Sequence, residues 1–210
     1  MTLTYKEATD VAGNLSKPGK MPCPSWGIDP KHCAIGKRLR NQKGTTCSVC
    51  YAHKGNYNFP CVRYAQDIRF EGITHDRWVE AMVVLITKTK STHFRWFDSG
   101  DIQGRKHLLQ IILIATQMPD VTFWLPTQEH KLIRDCKHKI PANLTIRLTN
   151  AIIDPNFELR KAPLVAEVHT QPNPTKANGW ICPAPAQGGK CVNCRACWNP
   201  KMRKVIYKKH

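Results

Sequence analysis

No apolar run in this 210-residue chain comes near the roughly 18 residues that a membrane-crossing helix needs. The longest, residues 108–115, is interrupted by Gln110. The opening residues Met1-Thr2-Leu3-Thr4-Tyr5-Lys6 carry no apolar core of the kind found in a secretory signal. Both absences set the expectation of a cytoplasmic protein that does not enter a membrane. Several catalytic signatures are missing too. There is no glycine-rich phosphate loop, no His-Glu-x-x-His and no Gly-x-Ser-x-Gly, so P-loop, zincin and nucleophile-elbow chemistry are not indicated. Acidic residues are scarce: 15 Asp+Glu against 32 Lys+Arg leave a net charge of +17.

Such an imbalance attracts polyanions and makes their binding depend on salt. Nucleic acid is the expected partner; a solvated basic surface is the plain alternative. Much of the charge falls in two flexible-looking segments, residues 31–43 with Lys37, Arg38, Arg40 and Lys43, and the tail at 201–209. Tyr51, Tyr57, Phe59 and Trp180 stand among basic loop residues. Rings so placed either stack on single-stranded bases or pack over a metal centre and exclude water.

Cysteine, by contrast, is plentiful. Ten cysteines in a reducing compartment read as metal ligands or redox groups rather than disulfides. One set is Cys47-x2-Cys50 with Cys33 upstream and Cys23, between Pro22 and Pro24, as a weaker fourth. Three thiolates from Cys33, Cys47 and Cys50 would leave one iron of a 4Fe-4S cluster without a protein ligand, which suits a substrate-binding or radical-generating centre. The other set is Cys182 followed by Cys191-x2-Cys194-x2-Cys197, with Gly188 and Gly189 able to turn the backbone toward sulfur. Three cysteines at this spacing favour a 4Fe-4S cluster, as in ferredoxin-type runs, over zinc, which more often takes two separated C-x2-C pairs. One centre shared by both sets is equally compatible with the spacing. Cys61 and Cys136 stand alone in helical patterns and read as small buried side chains.

Residues 1–30 are dense in proline and glycine and read as an irregular lead-in to a single domain over 31–210. Helices are expected over 61–70, 76–87 (capped by Asp76 or Thr74), 106–117 and from Thr127 to about Cys136, and strands over 93–97, 121–125, 144–148 and 164–168. This alternation predicts an α/β fold with a parallel sheet. The chain is too short for the about 250 residues of a complete eight-unit barrel, so a partial barrel or open curved sheet is expected. Loops after the strands should then carry the site, which brings forward Asp98, Ser99, Asp101, Thr127, Gln128, Thr149, Asn150, His169 and Thr170. Asp98 and Asp101 flank a Ser99-Gly100 turn and are candidates for acid–base or ligand-binding work, with turn chemistry the alternative. His169 could act as base or ligand or be structural. Arg147 interrupts an apolar strand; it is expected to face solvent, to meet an anion or to pair with an acid such as Asp98.

Cys33, Cys47-x2-Cys50-Tyr51-Ala52, the run from Phe94 to Asp101, Pro141-Ala142-Asn143-Leu144-Thr145, the Cys182 to Trp198 set and the terminal His210 occur in the order seen in the phage gene-product 88 family, which the chain closely resembles. More distantly, a cysteine set ending in Cys-Tyr and followed by a strand with a Gly-acidic turn is similar to radical S-adenosylmethionine enzymes. That likeness implies that Ser99-Gly100-Asp101 would contact the methionyl ammonium, and that the C-terminal cysteines would hold an auxiliary cluster. The sequence departs from it in the long gap between Cys33 and Cys47, where that family has C-x3-C-x2-C. The expectation is a phage-type iron–sulfur protein with one or two 4Fe-4S clusters that binds or acts on nucleic acid under redox control. A radical S-adenosylmethionine-type enzyme and a zinc-stabilised binding module are the alternatives.

Overall fold

The first turn of structure falls where the sequence suggests none. Helix α1 (Tyr5–Ala12) starts on a capping box: Thr4 Oγ1 accepts from Glu7 N–H at 3.3 Å and the Glu7 carboxylate accepts from Thr4 N–H at 2.7 Å. Its Ala8 and Ala12 are fully buried. Gly13 ends it at φ 69°, and strand β1 (Ser25–Trp26) follows. The irregular lead-in is therefore confined to the prolines and glycines between these two elements. The computed structural model describes residues 2–159, 162–173 and 178–209; the terminal His210 lies outside them.

The basic stretch 31–43 is not flexible loop but largely helix α2 (Ala34–Arg40), with Lys37, Arg38 and Arg40 in its last turn, where the negative end of the helix favours cations. The expected helices follow as α3 (Pro60–Gly72), α4 (Trp78–Lys88), α5 (Arg105–Gln117) and α6 (His130–Arg134). Neither Asp76 nor Thr74 caps α4, which starts without a side-chain cap; the Thr74 hydroxyl donates back to Glu71 O and closes α3. The strands are β2 (His93–Trp96), β3 (Thr122–Thr127), β4 (Leu144–Ile153), β5 (Val165–His169), β6 (Trp180–Ile181) and β7 (Lys204–Lys208). β7 occupies the tail expected to be flexible. Val205 and Ile206, both buried, give that lysine-rich segment an apolar centre that pairs with β5 and β6.

All seven strands run parallel in the order β1-β2-β3-β4-β5-β7-β6. The sheet stays open. Its outer strands, β1 and β6, are two residues long, too short to close a barrel by pairing. Alternation along the strands sorts side chains to two faces. Phe94, Trp96, Phe123, Leu125, Leu144 and Ile146 join α1, α4 and α5 in the main core, around Trp26 and Trp78. Trp124 and Val205 point the other way, into a second cluster with Cys23 and Ala196-Cys197-Trp198. The C-terminal cysteine segment thus covers the face that would be the interior of a closed barrel. No helix among the described residues is long and apolar enough to cross a membrane.

Candidate metal centres

The N-terminal cysteines ride on a loop stitched to the C-terminal ends of the strands. Thr46 N–H donates to Ala151 O at 2.7 Å, Ile153 N–H to Gly44 O at 2.9 Å, and Gln128 Nε2 to Thr46 Oγ1 at 2.8 Å. The buried Thr45 hydroxyl donates to Leu39 O and Gln42 O and accepts from Ser48 N–H, which fixes the turn into Cys47. Cys33 is the N-cap of α2, its Sγ accepting from Gly36 N–H at 3.3 Å; a Cβ on Gly36 would lie 2.9 Å from that sulfur. Burial pushes the Cys33 thiol up to about 12, with Asp101, Cys47 and Cys50 adding to the shift. Burial and then Cys50 raise Cys47 to about 11, and burial also raises Cys50. Asp101 adds to the shifts of Cys33 and Cys47, while the Arg40 guanidinium opposes those of Cys47 and Cys50.

Asp101 itself turns inward. Oδ1 accepts from Thr127 Oγ1 at 2.6 Å and from Ile102 N–H at 2.8 Å, and Oδ2 from Gln128 N–H at 2.8 Å. Burial still raises its carboxyl to about 7. Phe97 (φ 53°) and Gly100 (φ 80°) bend the chain sharply after β2. The Asp98 carbonyl accepts from Tyr51 Oη at 2.6 Å and Tyr57 Oη at 3.2 Å, so both tyrosines anchor the cysteine loop through their hydroxyls. Asp98 Oδ1 and Ser99 Oγ are buried without a hydrogen-bond partner among the described residues, as is Asn150 Nδ2 on β4. Asp98 Oδ1 rests where a Cβ on Gly27 would approach it to 2.5 Å.

The C-terminal set is held from beneath by Arg147, which is neither solvated nor paired with Asp98. Fully buried, it donates to four carbonyls of the segment: Nε to Cys197 O at 3.0 Å, Nη1 to Met202 O at 2.7 Å, and Nη2 to Ala196 O at 2.9 Å and Asn199 O at 2.8 Å. Thr145 Oγ1 donates to Trp198 O at 2.7 Å, and Trp198 Nε1 to Phe94 O at 2.9 Å. Strand side chains thus satisfy the backbone of a segment that has little regular structure of its own. Gly188 and Gly189 turn the chain at φ 62° and 76°; Gly189 N–H goes to Ala184 O rather than to sulfur. Cys197 Sγ meets Tyr207 Oη at 3.1 Å, and burial raises Cys197 to about 12. Burial raises Cys182 and Cys191 as well, each with a neighbouring sulfur of this set contributing.

Between the two sets stands Arg95. Its Nη2 donates to Tyr51 Oη at 3.1 Å, and its guanidinium lies 4.7 Å from the Trp124 ring centre. Burial works against the Arg95 charge, yet Tyr51, Asp98 and Tyr57 hold its pKa above the usual range. Sequence reasoning misses Arg95; its signal, like that of Arg147, is a cation inside an otherwise apolar strand.

The remaining candidates fall elsewhere. His169 at the end of β5 sits between Glu167 Oε2 at 3.2 Å and Asp154 Oδ1 at 3.6 Å. Phe59 and Trp180 are exposed. Cys61, expected to be buried, is exposed in the first turn of α3, and Cys136 is half-buried beyond α6. Among the described residues no three His, Cys, Asp or Glu side chains converge tightly enough for a single metal ion. No curated protein and no solved structure matches the chain. A family model described as Gene product 88 matches residues 4–200, and the chain therefore belongs to the gene product 88 family.

Proposed function

We propose that this chain is an iron–sulfur protein that binds nucleic acid beside its N-terminal cluster. Position carries the reading: the loop that holds Cys47 and Cys50 is bonded through Thr46 N–H to Ala151 O and through Gly44 O to Ile153 N–H at the C-terminal end of β4, the edge where such folds place their sites. A groove of about 370 Å³ opens next to them, lined by Lys31, Lys37, Arg40, His53 and Arg63 with Asp29. Ala52 and His53, two and three residues beyond Cys50, form its wall. Exposed rings stand near Arg63 in sequence, Tyr64 next to it and Phe59 four residues before it, an arrangement suited to a single strand.

The donor set fits iron–sulfur chemistry. Every ligand candidate in both sets is a cysteine, the ligand type of iron–sulfur clusters, and Cys191-x2-Cys194-x2-Cys197 has the spacing of ferredoxin-type runs. Cys33, Cys47 and Cys50 would hold the N-terminal cluster, and the C-terminal cysteines a second. A bound cluster supplies one-electron chemistry and, where only three thiolates hold it, an iron open to a further ligand. Tyr51 and Tyr57 lock the cysteine loop onto Asp98, and the Lys and Arg side chains of the groove would hold phosphates. An S-adenosylmethionine-cleaving enzyme is the second reading, favoured by the three-thiol count; reductive cleavage of that cofactor by the reduced protein is its test.

Anaerobically purified protein should bind a fluorescent single-stranded oligonucleotide, and chelating its iron should weaken the binding. Binding unchanged after iron removal would break the link between cluster and groove. Colourless protein with zinc and no acid-labile sulfide would establish the zinc-stabilised module instead.

A further inference from the structure

Cys23 belongs, by its sequence position, with the N-terminal cysteines; the fold puts it with the others. It is 7% exposed and packs in the cluster formed by Trp124, Ala196, Cys197 and Trp198, with Cys194 and Met202 against it. The strap that carries it runs along the C-terminal segment. Cys191 N–H donates to Lys20 O at 3.0 Å, and a Cβ on Gly189 would lie 3.0 Å from Lys20 Nζ. Arg95 Nη1 reaches the Met21 sulfur at 3.7 Å, and Arg95 N–H donates to Pro24 O at 3.2 Å, so both sides of Cys23 are tied down before β1 begins. The flanking prolines, which make Cys23 look unsuited to ligation, limit the conformations open to it. The Cys191 and Cys197 sulfurs also act on the Cys23 thiol, whose pKa burial raises to about 12.

We propose that Cys23 is a ligand of the C-terminal iron–sulfur centre, which thereby joins the strap before β1 to the segment after β6. A four-iron cluster takes four thiolates; here they come from Cys23, Cys194 and two of Cys182, Cys191 and Cys197. On ligation each thiol gives its proton to solvent and its sulfur lone pair to iron. The inference rests on the iron–sulfur reading above and adds a ligand to it.

Iron and acid-labile sulfide are counted on anaerobically purified wild type, Cys23→Ala, Cys194→Ala and the exposed-cysteine control Cys61→Ala. The expected result is that Cys23→Ala and Cys194→Ala each lose about half of the iron, one of two clusters, while Cys61→Ala keeps all of it. Cys23→Ser keeps the side-chain volume and offers oxygen in place of sulfur. It should retain a folded chain whose cluster absorption and electron paramagnetic resonance differ from those of the wild type. Full iron in Cys23→Ala, or a wild-type spectrum in Cys23→Ser, overturns the inference and leaves the iron–sulfur reading standing. Wild type without iron and sulfide overturns both.

Discussion

Replacing Arg147 with methionine removes the side chain that makes most of the hydrogen bonds between β4 and the C-terminal cysteine segment. Four bonds from a charged donor disappear, and four carbonyls between Ala196 and Met202 are left without that partner. A bond to a charged group contributes about 1.5–3 kcal/mol taken singly. Four do not add in full, because the burial of the guanidinium opposes them; burial lowers the Arg147 pKa. A buried acceptor left unsatisfied costs about 1–3 kcal/mol, so with four acceptors partly offset by the lost burial of charge, about 3–5 kcal/mol is the loss expected for Arg147→Met. That is a large share of the roughly 5–15 kcal/mol that holds a domain together. Arg147→Lys keeps a cation but offers only a compact point charge, which cannot reach four carbonyls at once, and it should recover less than half of the loss. Urea unfolding of the three proteins measures both effects. An Arg147→Met midpoint equivalent to less than about 1 kcal/mol of destabilisation would refute the assigned role.

Gly27→Ala should cost about 2 kcal/mol or more, because its Cβ would meet Asp98 Oδ1 at 2.5 Å and the Ser99 backbone at 2.6 and 2.8 Å, where little can yield; thermal unfolding within a degree of wild type would contradict this. His107 lies in the main core, where burial lowers its pKa from 6.5 to about 3. Between those values the unfolded chain binds a proton that the folded chain does not. The stability of wild type relative to His107→Gln should therefore rise with pH by about 1.4 kcal/mol per unit from pH 4 to 6, and parallel stability curves for the two proteins would count against it. Lys37→Gln with Arg63→Gln should weaken oligonucleotide binding and flatten the dependence of log K on log salt by about 1.4, or 0.7 for each single-strand phosphate that is no longer neutralised. An unchanged slope would remove the groove from the binding surface.

The parts of the fold legible in the sequence are those whose own residues carry the pattern. β2 and β3 are aromatic runs, β4 alternates aliphatic and polar residues, and α4 and α5 have apolar faces that extend over full turns. What the sequence does not reveal depends on partners distant in the chain. α1 is a polar segment whose only signals are the Thr4–Glu7 capping box and two alanines, and its burial against α4 decides the outcome. β7 looks like a charged tail because its buried Val205 and Ile206 sit among lysines; it is a strand because β5 and β6 supply its hydrogen bonds. At the candidate site, the Asp98–Asp101 turn is readable from its position after a strand, whereas the seat of the Cys47–Cys50 loop at the same sheet edge depends on bonds to β4 and Gln128. The place of Cys23 is not readable either, because Cys194 and Cys197, which share its cluster, lie more than 150 residues away in sequence. Arg95 and Arg147 are visible as anomalies, but which carbonyls and rings they serve depends on which segment covers that face of the sheet.

The central claim is that the two cysteine sets hold two separate iron–sulfur centres. Iron and acid-labile sulfide counts, with an absorption spectrum, on anaerobically purified wild type, Cys50→Ala and Cys194→Ala test it most directly. Brown wild-type protein with iron and sulfide in equal amounts, and a partial loss of both in each variant, is the expected result. Complete loss of iron in each variant would indicate one shared centre, and wild-type protein with zinc and no sulfide would contradict the iron–sulfur account.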